Sequence, residues 1–202
     1  VSGMSIDRQC SSGMMAIATA AKQIICDGME ITVGGGVESI SLVQNEKMNV
    51  HRMVDKALIA KQPNIYMPML QTAEVVAKRY NVSREVQDTY ALQSQQRTAA
   101  AQQAGKFNDE IIETKTSMGV MDRETKEISF QDITLNKDQG NRPSTVIEGL
   151  SGLNPVLENG VITAGNASQL SDGASACVLM EAATAAKHSG TPLGIYRGIA
   201  VA

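Results

Sequence analysis

The chain has 202 residues, 43% of them hydrophobic, with a formal net charge of −3; that permits a sizeable core and is near the upper end for one domain. The mild acidity gives no basis for nucleic acid or an anionic membrane as a general partner, and no apolar run approaches the roughly 18 residues of a membrane span. Three widely separated cysteines, Cys10, Cys26 and Cys177, do not form a disulfide framework and suit a reducing compartment such as the cytoplasm.

Residues 1–7 read as the end of a strand. The stretch Arg8-Gln9-Cys10-Ser11-Ser12-Gly13 then opens a helix that runs to Cys26 and is apolar nearly all round, as for a helix buried between layers. Unpaired N–H groups at a helix start carry partial positive charge and favour a thiolate, which makes a cysteine there a usable nucleophile. A buried structural cysteine is the alternative, but the flanking Ser-Ser-Gly allows close backbone approach and favours the nucleophile. Gly28 is placed to end the helix. Ile31-Thr32-Val33 forms a short strand, and Gly34-Gly35-Gly36 follows as a tight turn or a close-packing contact. The three glycines lack the spacing of a phosphate-binding loop. Strand, helix and strand together predict a unit of the parallel-sheet type.

From about residue 40 the character changes. Residues 44–62 are polar and irregular. Residues 71–80 are helical by the spacing of Ala73, Val76, Ala77 and Tyr80. Ser83 caps a second helix with Glu85 in its first turn; this helix reaches Gln103, is stopped by Gly105, and turns Val86, Tyr90, Ala91, Ser94, Thr98 and Ala101 inward. Residues 109–114 and 127–130 are candidate strands around a charged turn. Residues 150–157 hold Gly152 and Pro155, so only a short helical turn fits. A buried strand at 174–180, a helix at 181–188 and a further strand at 195–201 complete the chain, with Cys177 in the first of these and Cys26 in the earlier helix both read as buried.

Three motifs carry a resemblance. Arg8-Gln9-Cys10-Ser11-Ser12-Gly13 resembles the acyl-accepting cysteine motif of the thiolases, the acetyl-CoA C-acyltransferase family. Gly34-Gly35-Gly36-Val37-Glu38-Ser39 and Thr163-Ala164-Gly165-Asn166-Ala167-Ser168, followed by Asp172-Gly173-Ala174, resemble two further family motifs in the same order. The resemblance covers essentially the whole chain. It implies an α/β, layered αβαβα fold, incomplete here, built from two similar halves with a loop domain inserted into the first. Residues 1–40 would then belong to the first half, 41–167 to the loop domain, 168–189 to the return, and 190–202 to the start of the second half. The polar, mixed composition of 41–167 between two apolar pieces agrees independently with an insertion.

The resemblance also implies roles. Cys10 would accept the acyl group, with its backbone N–H helping to stabilise the oxyanion. Arg142 would contact the nucleotide end of coenzyme A, Ala164 and Ser168 its pantetheine arm, and Met69 the acyl pocket. A solvated surface arginine and a local turn-capping serine are the alternatives at Arg142 and Ser168. Pro68-Met69-Leu70 lies closer to the degradative pattern of the family, with Leu where that pattern has Gly. Coenzyme A is implied as substrate, with no permanently bound cofactor and no metal; the completed enzyme would be a homodimer or homotetramer, cytoplasmic, or mitochondrial or peroxisomal in a eukaryote.

The family's Gly-His-Pro, Asn-Glu-Ala and Cys-x-Gly-Gly-Gly motifs are absent. His51 and His188, the two histidines, sit in polar or small-residue contexts and read as solvent-facing. The chain therefore reads as an internal piece of a longer enzyme. A ketosynthase-like condensing enzyme and a non-catalytic CoA- or lipid-binding protein stay open as alternatives, though the second and third motifs favour a thiolase.

Overall fold

The structure is a computed structural model that describes every residue except Ser189 and Ala202, so the boundary at 189 and the end at 202 lie outside the described residues. In chain order the elements are α1 (Ser12–Asp27), β1 (Ile31–Glu38), α2 (Ile40–Val43), α3 (Lys56–Lys61), α4 (Met69–Tyr80), α5 (Arg84–Gln103), β2 (Thr114–Met121), β3 (Ile128–Leu135), α6 (Ile147–Ser151), β4 (Gly173–Met180) and α7 (Ala182–Lys187). They divide into two compact units. One holds residues 1–49 and the chain from 170 onward, the other residues 50–169.

The first unit is a helix laid on a two-stranded sheet. Gly28 ends α1 in the left-handed conformation at φ 71°, where a side chain would be strained. The three glycines do not form a turn: they lie inside β1, and the close-packing reading holds for them. A Cβ on Gly34 would stand 2.7 Å from Ile17 Cα, and one on Gly36 would stand 3.2 Å from Gly13 Cα. Helix and strand backbones can approach this closely only because no side chain separates them. The Thr32 hydroxyl adds a bond to the Ala20 carbonyl at 3.1 Å.

Five expectations fail in this unit. Residues 1–7 form no strand, and β1 pairs antiparallel with β4, from Ile31↔Met180 to Glu38↔Gly173, so no parallel unit forms. The chain between them is long enough for β4 to return in the opposite sense and satisfy the β1 ladder. Helix α1 buries only Ala18, Ala20 and Ala21, because the sheet covers one of its faces while Met14 and Ile25 stay exposed. Cys26 and Cys177 are exposed rather than buried. Residues 195–201 form no strand.

The second unit is helical with one hairpin. Ser83 caps α5 by accepting the Val86 N–H, and Gly105 closes it at φ 66°. Asp55 caps α3 in the same way, accepting the Ala57 and Leu58 N–H groups. Hairpin β2–β3 pairs from Thr114↔Leu135 to Met121↔Ile128; it starts later and runs longer than the pattern predicts. Its turn is closed by the Asp122 carboxylate, which accepts the Glu124 and Thr125 N–H groups at 2.8 Å each. Those backbone bonds hold the Asp122 carboxyl below the usual range. Helix α6 is the short turn expected of residues 150–157, set slightly earlier. The inner face of α5 differs most. Val86 and Tyr90 are exposed, while Asp88 is 2% exposed, with Gln87, Ala91, Leu92 and Gln95 half-buried beside it.

Candidate active site

Cys10 occupies a single 3-10 turn, Gln9–Ser11, that runs directly into α1. The thiol is exposed. Two polar side chains fix the turn. The Ser12 hydroxyl accepts the Arg8 N–H at 2.8 Å and donates to the Gln9 carbonyl at 2.7 Å, and Asp7 Oδ1 accepts the Gln9 N–H at 2.8 Å. Gln9 holds φ 51°, in the left-handed region that a side chain makes costly. The residue just before the cysteine is thus strained, and the hydrogen bonds around it keep it so. A cavity of about 600 Å³ adjoins the turn, lined by Asp7, Gln9, Ser11, Met14 and the 199–201 segment. Behind the turn, the Gly34 and Gly36 contacts seat α1 on β1. This arrangement presents an accessible thiol on a backbone held from two sides.

The other four candidate residues lie in the second unit. Ala164 and Ser168 are exposed on the 163–168 loop. The Ser168 hydroxyl has one long bond, 3.4 Å to the Gln169 carbonyl, so it is open to a ligand. Met69 begins α4 and is 77% exposed. Arg142 is exposed, and its guanidinium makes no hydrogen bond or ion pair among the described residues. Its backbone is fixed, however: Gln95 Oε1 on α5 accepts the Arg142 N–H at 2.8 Å and an Asn141 amide hydrogen at 2.9 Å.

Hydrogen bonds join the segments that carry these four residues. Gln169 donates to the Gly140 carbonyl at 2.6 Å, tying the end of the 163–168 loop to the Arg142 segment. Glu74, one turn into the α4 helix that Met69 begins, accepts the Val161 and Ile162 N–H groups at 2.9 Å each. Asn166 reaches Asp88 on α5 at 3.0 Å. Met69, Arg142, Ala164 and Ser168 therefore stand on one connected framework. Cys10 belongs to the other unit.

Sequence reasoning missed the framework residues Glu74, Arg84, Asp88 and Gln95. A periodicity count treats polar residues as outward-facing, so Asp88 goes unnoticed even though Arg84 precedes it at the i, i+4 spacing of an ion pair. Both histidines are exposed, and neither lies beside one of the three motifs.

In comparisons with known proteins, the thiolase N-terminal domain family matches residues 1–183. A 3-ketoacyl-CoA thiolase of Bacillus subtilis is 40% identical over 202 residues, covering all of this chain and 51% of the relative. The human peroxisomal 3-ketoacyl-CoA thiolase is 42% identical over 200 residues, 97% of this chain and 45% of the relative. Among solved structures, human mitochondrial 3-ketoacyl-CoA thiolase in complex with CoA aligns with a TM-score of 0.71 and 36% identity, over 93% of this chain and 47% of that one. The chain spans about half the length of the curated relatives it matches.

Proposed function

The chain belongs to the thiolase family, and on that premise we propose that it carries the acyl-accepting part of a 3-ketoacyl-CoA thiolase, with Cys10 as nucleophile. The observation that carries this reading is the Arg8–Gly13 motif at the start of α1, within a chain that matches the family's N-terminal domain over residues 1–183. The accessible thiol and the strained, hydrogen-bonded turn around it support the same role.

In the cleavage direction the Cys10 thiolate attacks the 3-keto carbonyl of a 3-ketoacyl-CoA. The tetrahedral adduct collapses, and the bond between C2 and C3 breaks. Acetyl-CoA departs as its enolate and takes up a proton, and the shortened acyl chain remains as a thioester on Cys10. The thiol of a second CoA then attacks that thioester, which releases acyl-CoA and regenerates Cys10. Splitting one difficult transfer into two steps is the advantage of covalent catalysis. Cys10 supplies the nucleophile; the proton-transfer groups that the family keeps in its Gly-His-Pro and Cys-x-Gly-Gly-Gly motifs are not among these residues. A cysteine at the first turn also has backbone N–H groups nearby to receive the oxyanion.

Within the same reading, residues 41–167 act as the loop domain that holds coenzyme A. Arg142 takes the phosphate end, Ala164 and Ser168 the pantetheine arm, and Met69 borders the acyl pocket. The free guanidinium of Arg142 and the open hydroxyl of Ser168 support these assignments. A homodimer or homotetramer is the assembly that goes with this reading, and the cytoplasm the compartment.

Steady-state thiolysis of acetoacetyl-CoA by the protein expressed from its complete reading frame tests the proposal. Parallel double-reciprocal lines, the mark of ping-pong transfer, are expected. Cys10→Ser should lower turnover by three or more powers of ten, about 4 kcal/mol or more in the barrier, since a serine hydroxyl without a strong base is a poor nucleophile. Intersecting lines together with wild-type turnover in Cys10→Ser would reject it.

A further inference from the structure

Asp88 is a carboxylate in the interior of the second unit, 2% exposed on α5. Removing a charge from water is costly unless it is paired and hydrogen-bonded. Both oxygens are engaged: Oδ2 accepts Arg84 Nε at 2.7 Å and Oδ1 accepts Asn166 Nδ2 at 3.0 Å. Arg84 in turn donates to the Leu150 and Leu153 carbonyls at 2.6 and 3.0 Å. These two Nη2 bonds tie α6 and the turn after it to the same carboxylate.

Asn166 carries the framework into the loop. Its Oδ1 accepts the Thr163 N–H at 2.8 Å, and its Nδ2 donates both to Asp88 and to the Val161 carbonyl at 3.0 Å. An N–H donor on one side and two acceptors on the other leave one orientation for the amide. Thr163 is fully buried, and its Oγ1 accepts the Gly165 and Asn166 N–H groups at 3.2 and 3.3 Å. Gly165 packs so closely on Leu150 and Leu153 that a Cβ there would stand 2.6 and 2.7 Å from their methyl carbons. Every polar side chain of residues 163–166 is thus turned inward. Only at Ala164, Ala167 and Ser168 does the loop present itself to solvent.

We propose that the Asp88–Asn166 hydrogen bond is a positioning device for the acyl-CoA site: it sets the 163–168 loop in the conformation in which Ala164 and Ser168 receive the pantetheine arm. The inference rests on the reading of those two residues as pantetheine contacts. Its physical basis is preorganisation. A flexible amide-bearing arm loses conformational freedom on binding, and a loop already ordered avoids adding its own loss. Asp88 and Asn166 act through the loop and touch no substrate.

The test uses the protein expressed from its complete reading frame and compares two substrate pairs. The full pair is acetoacetyl-CoA with CoA; the truncated pair is acetoacetyl-N-acetylcysteamine with N-acetylcysteamine, which lacks most of the arm and all of the nucleotide. Asn166→Asp sets two carboxylates against each other and should raise KM for CoA about tenfold, with kcat within about twofold and the truncated pair unaffected, since tenfold corresponds to about 1.4 kcal/mol of lost binding. The exchange variant Asp88→Asn with Asn166→Asp restores an amide–carboxylate pair, though not the bond to the Val161 carbonyl, and should recover part of that loss. If Asn166→Asp does not fold, the near-isosteric Asp88→Asn alone carries the test, with an expected rise of about threefold in KM for CoA only.

An unchanged KM for CoA, an equal change for both substrate pairs, or no recovery in the exchange variant would overturn the positioning role. Ser168→Ala and Arg142→Ala separate this from failure of the wider reading. If they raise KM for CoA while the exchange series does not, the positioning role alone fails; if they too leave it unchanged, the coenzyme A reading has failed with it.

Discussion

The turn that carries Cys10 and the loop that carries Ser168 are held by opposite means. Behind Cys10 the decisive contacts are steric: Gly34 and Gly36 bring β1 against the backbone of α1, and only short polar latches from Asp7 and Ser12 act on the turn itself. The 163–168 loop is held mainly by polar side chains: Glu74 accepts the Val161 and Ile162 N–H groups just before it, Asn166 accepts the Thr163 N–H, and Asp88 accepts the Asn166 side-chain amide. A reactive group gains from being exposed on a rigid backbone, and close packing supplies rigidity without surrounding the thiol. A binding loop needs its amides oriented, which a carboxylate partner does and a methyl group does not. The two regions should therefore fail under different substitutions.

Gly34→Ala gives the largest expected loss of stability. The new Cβ meets the Ile17 backbone at 2.7 and 3.0 Å, and backbone has no rotamer with which to move aside. Overpacking of this kind costs about 1–3 kcal/mol, read as a lower midpoint in urea unfolding. A variant as stable as the parent would show that α1 does not depend on this approach. On the other side of the comparison, Glu74→Gln should cost about 1 kcal/mol, because one carboxylate there serves two part-buried N–H groups. Its mark should be faster hydrogen exchange at the Val161 and Ile162 amides, with the α1 amides unaffected; a uniform change across both units would blur the distinction drawn above.

A smaller effect concerns Asp172. Its carboxyl lies below the usual range, chiefly because the Ser41 hydroxyl and then the Ser41 N–H donate to it. A carboxylate with a lowered folded pKa adds stability that is present above its unfolded value of about 3.9 and is lost as pH falls through the folded value. The Ser41 amide should therefore lose exchange protection only below about pH 4. Ser41→Ala should move the Asp172 titration, followed by its carboxyl carbon shift in NMR, upward toward the ordinary range. No movement would mean that the bond does not form in solution. The smallest effect is expected at Tyr90, which is 69% exposed: Tyr90→Ser should change stability by no more than about 0.5 kcal/mol. A loss of 2 kcal/mol or more would restore it to the inner face that the sequence pattern assigns.

Tyr90 also marks where the sequence stops being legible. Local signals were reliable where one residue makes its own structure: the Ser83 cap, the left-handed Gly28 and Gly105, and the start and end of α5. The facing of α5 was not legible, because the apolar spacing of Val86 and Tyr90 competes with an Arg84–Asp88 pair whose partners lie 66 and 78 residues away. No local pattern records such partners. Burial of Cys26 and Cys177 was misjudged for a related reason. An apolar strand or helix shows what it is able to bury, while its cover comes from elsewhere in the fold, and here α1 covers one face of a two-stranded sheet. The Cys10 motif was legible in full as a sequence, but the strained Gln9 that precedes the cysteine was not, since a non-glycine residue at φ 51° gives no sign in composition or period.

The central claim is that Cys10 becomes acylated, and mass spectrometry tests it most directly. The protein is incubated with acetoacetyl-CoA in the absence of free CoA, quenched in acid and mapped by peptide. All three cysteines are exposed, so accessibility alone does not favour one of them. The account predicts an acetyl thioester on the peptide bearing Cys10, absent from those bearing Cys26 and Cys177, and discharged when CoA is added before the quench. An acetyl group confined to Cys26 or Cys177, or no adduct in protein that turns over acetoacetyl-CoA, would contradict it.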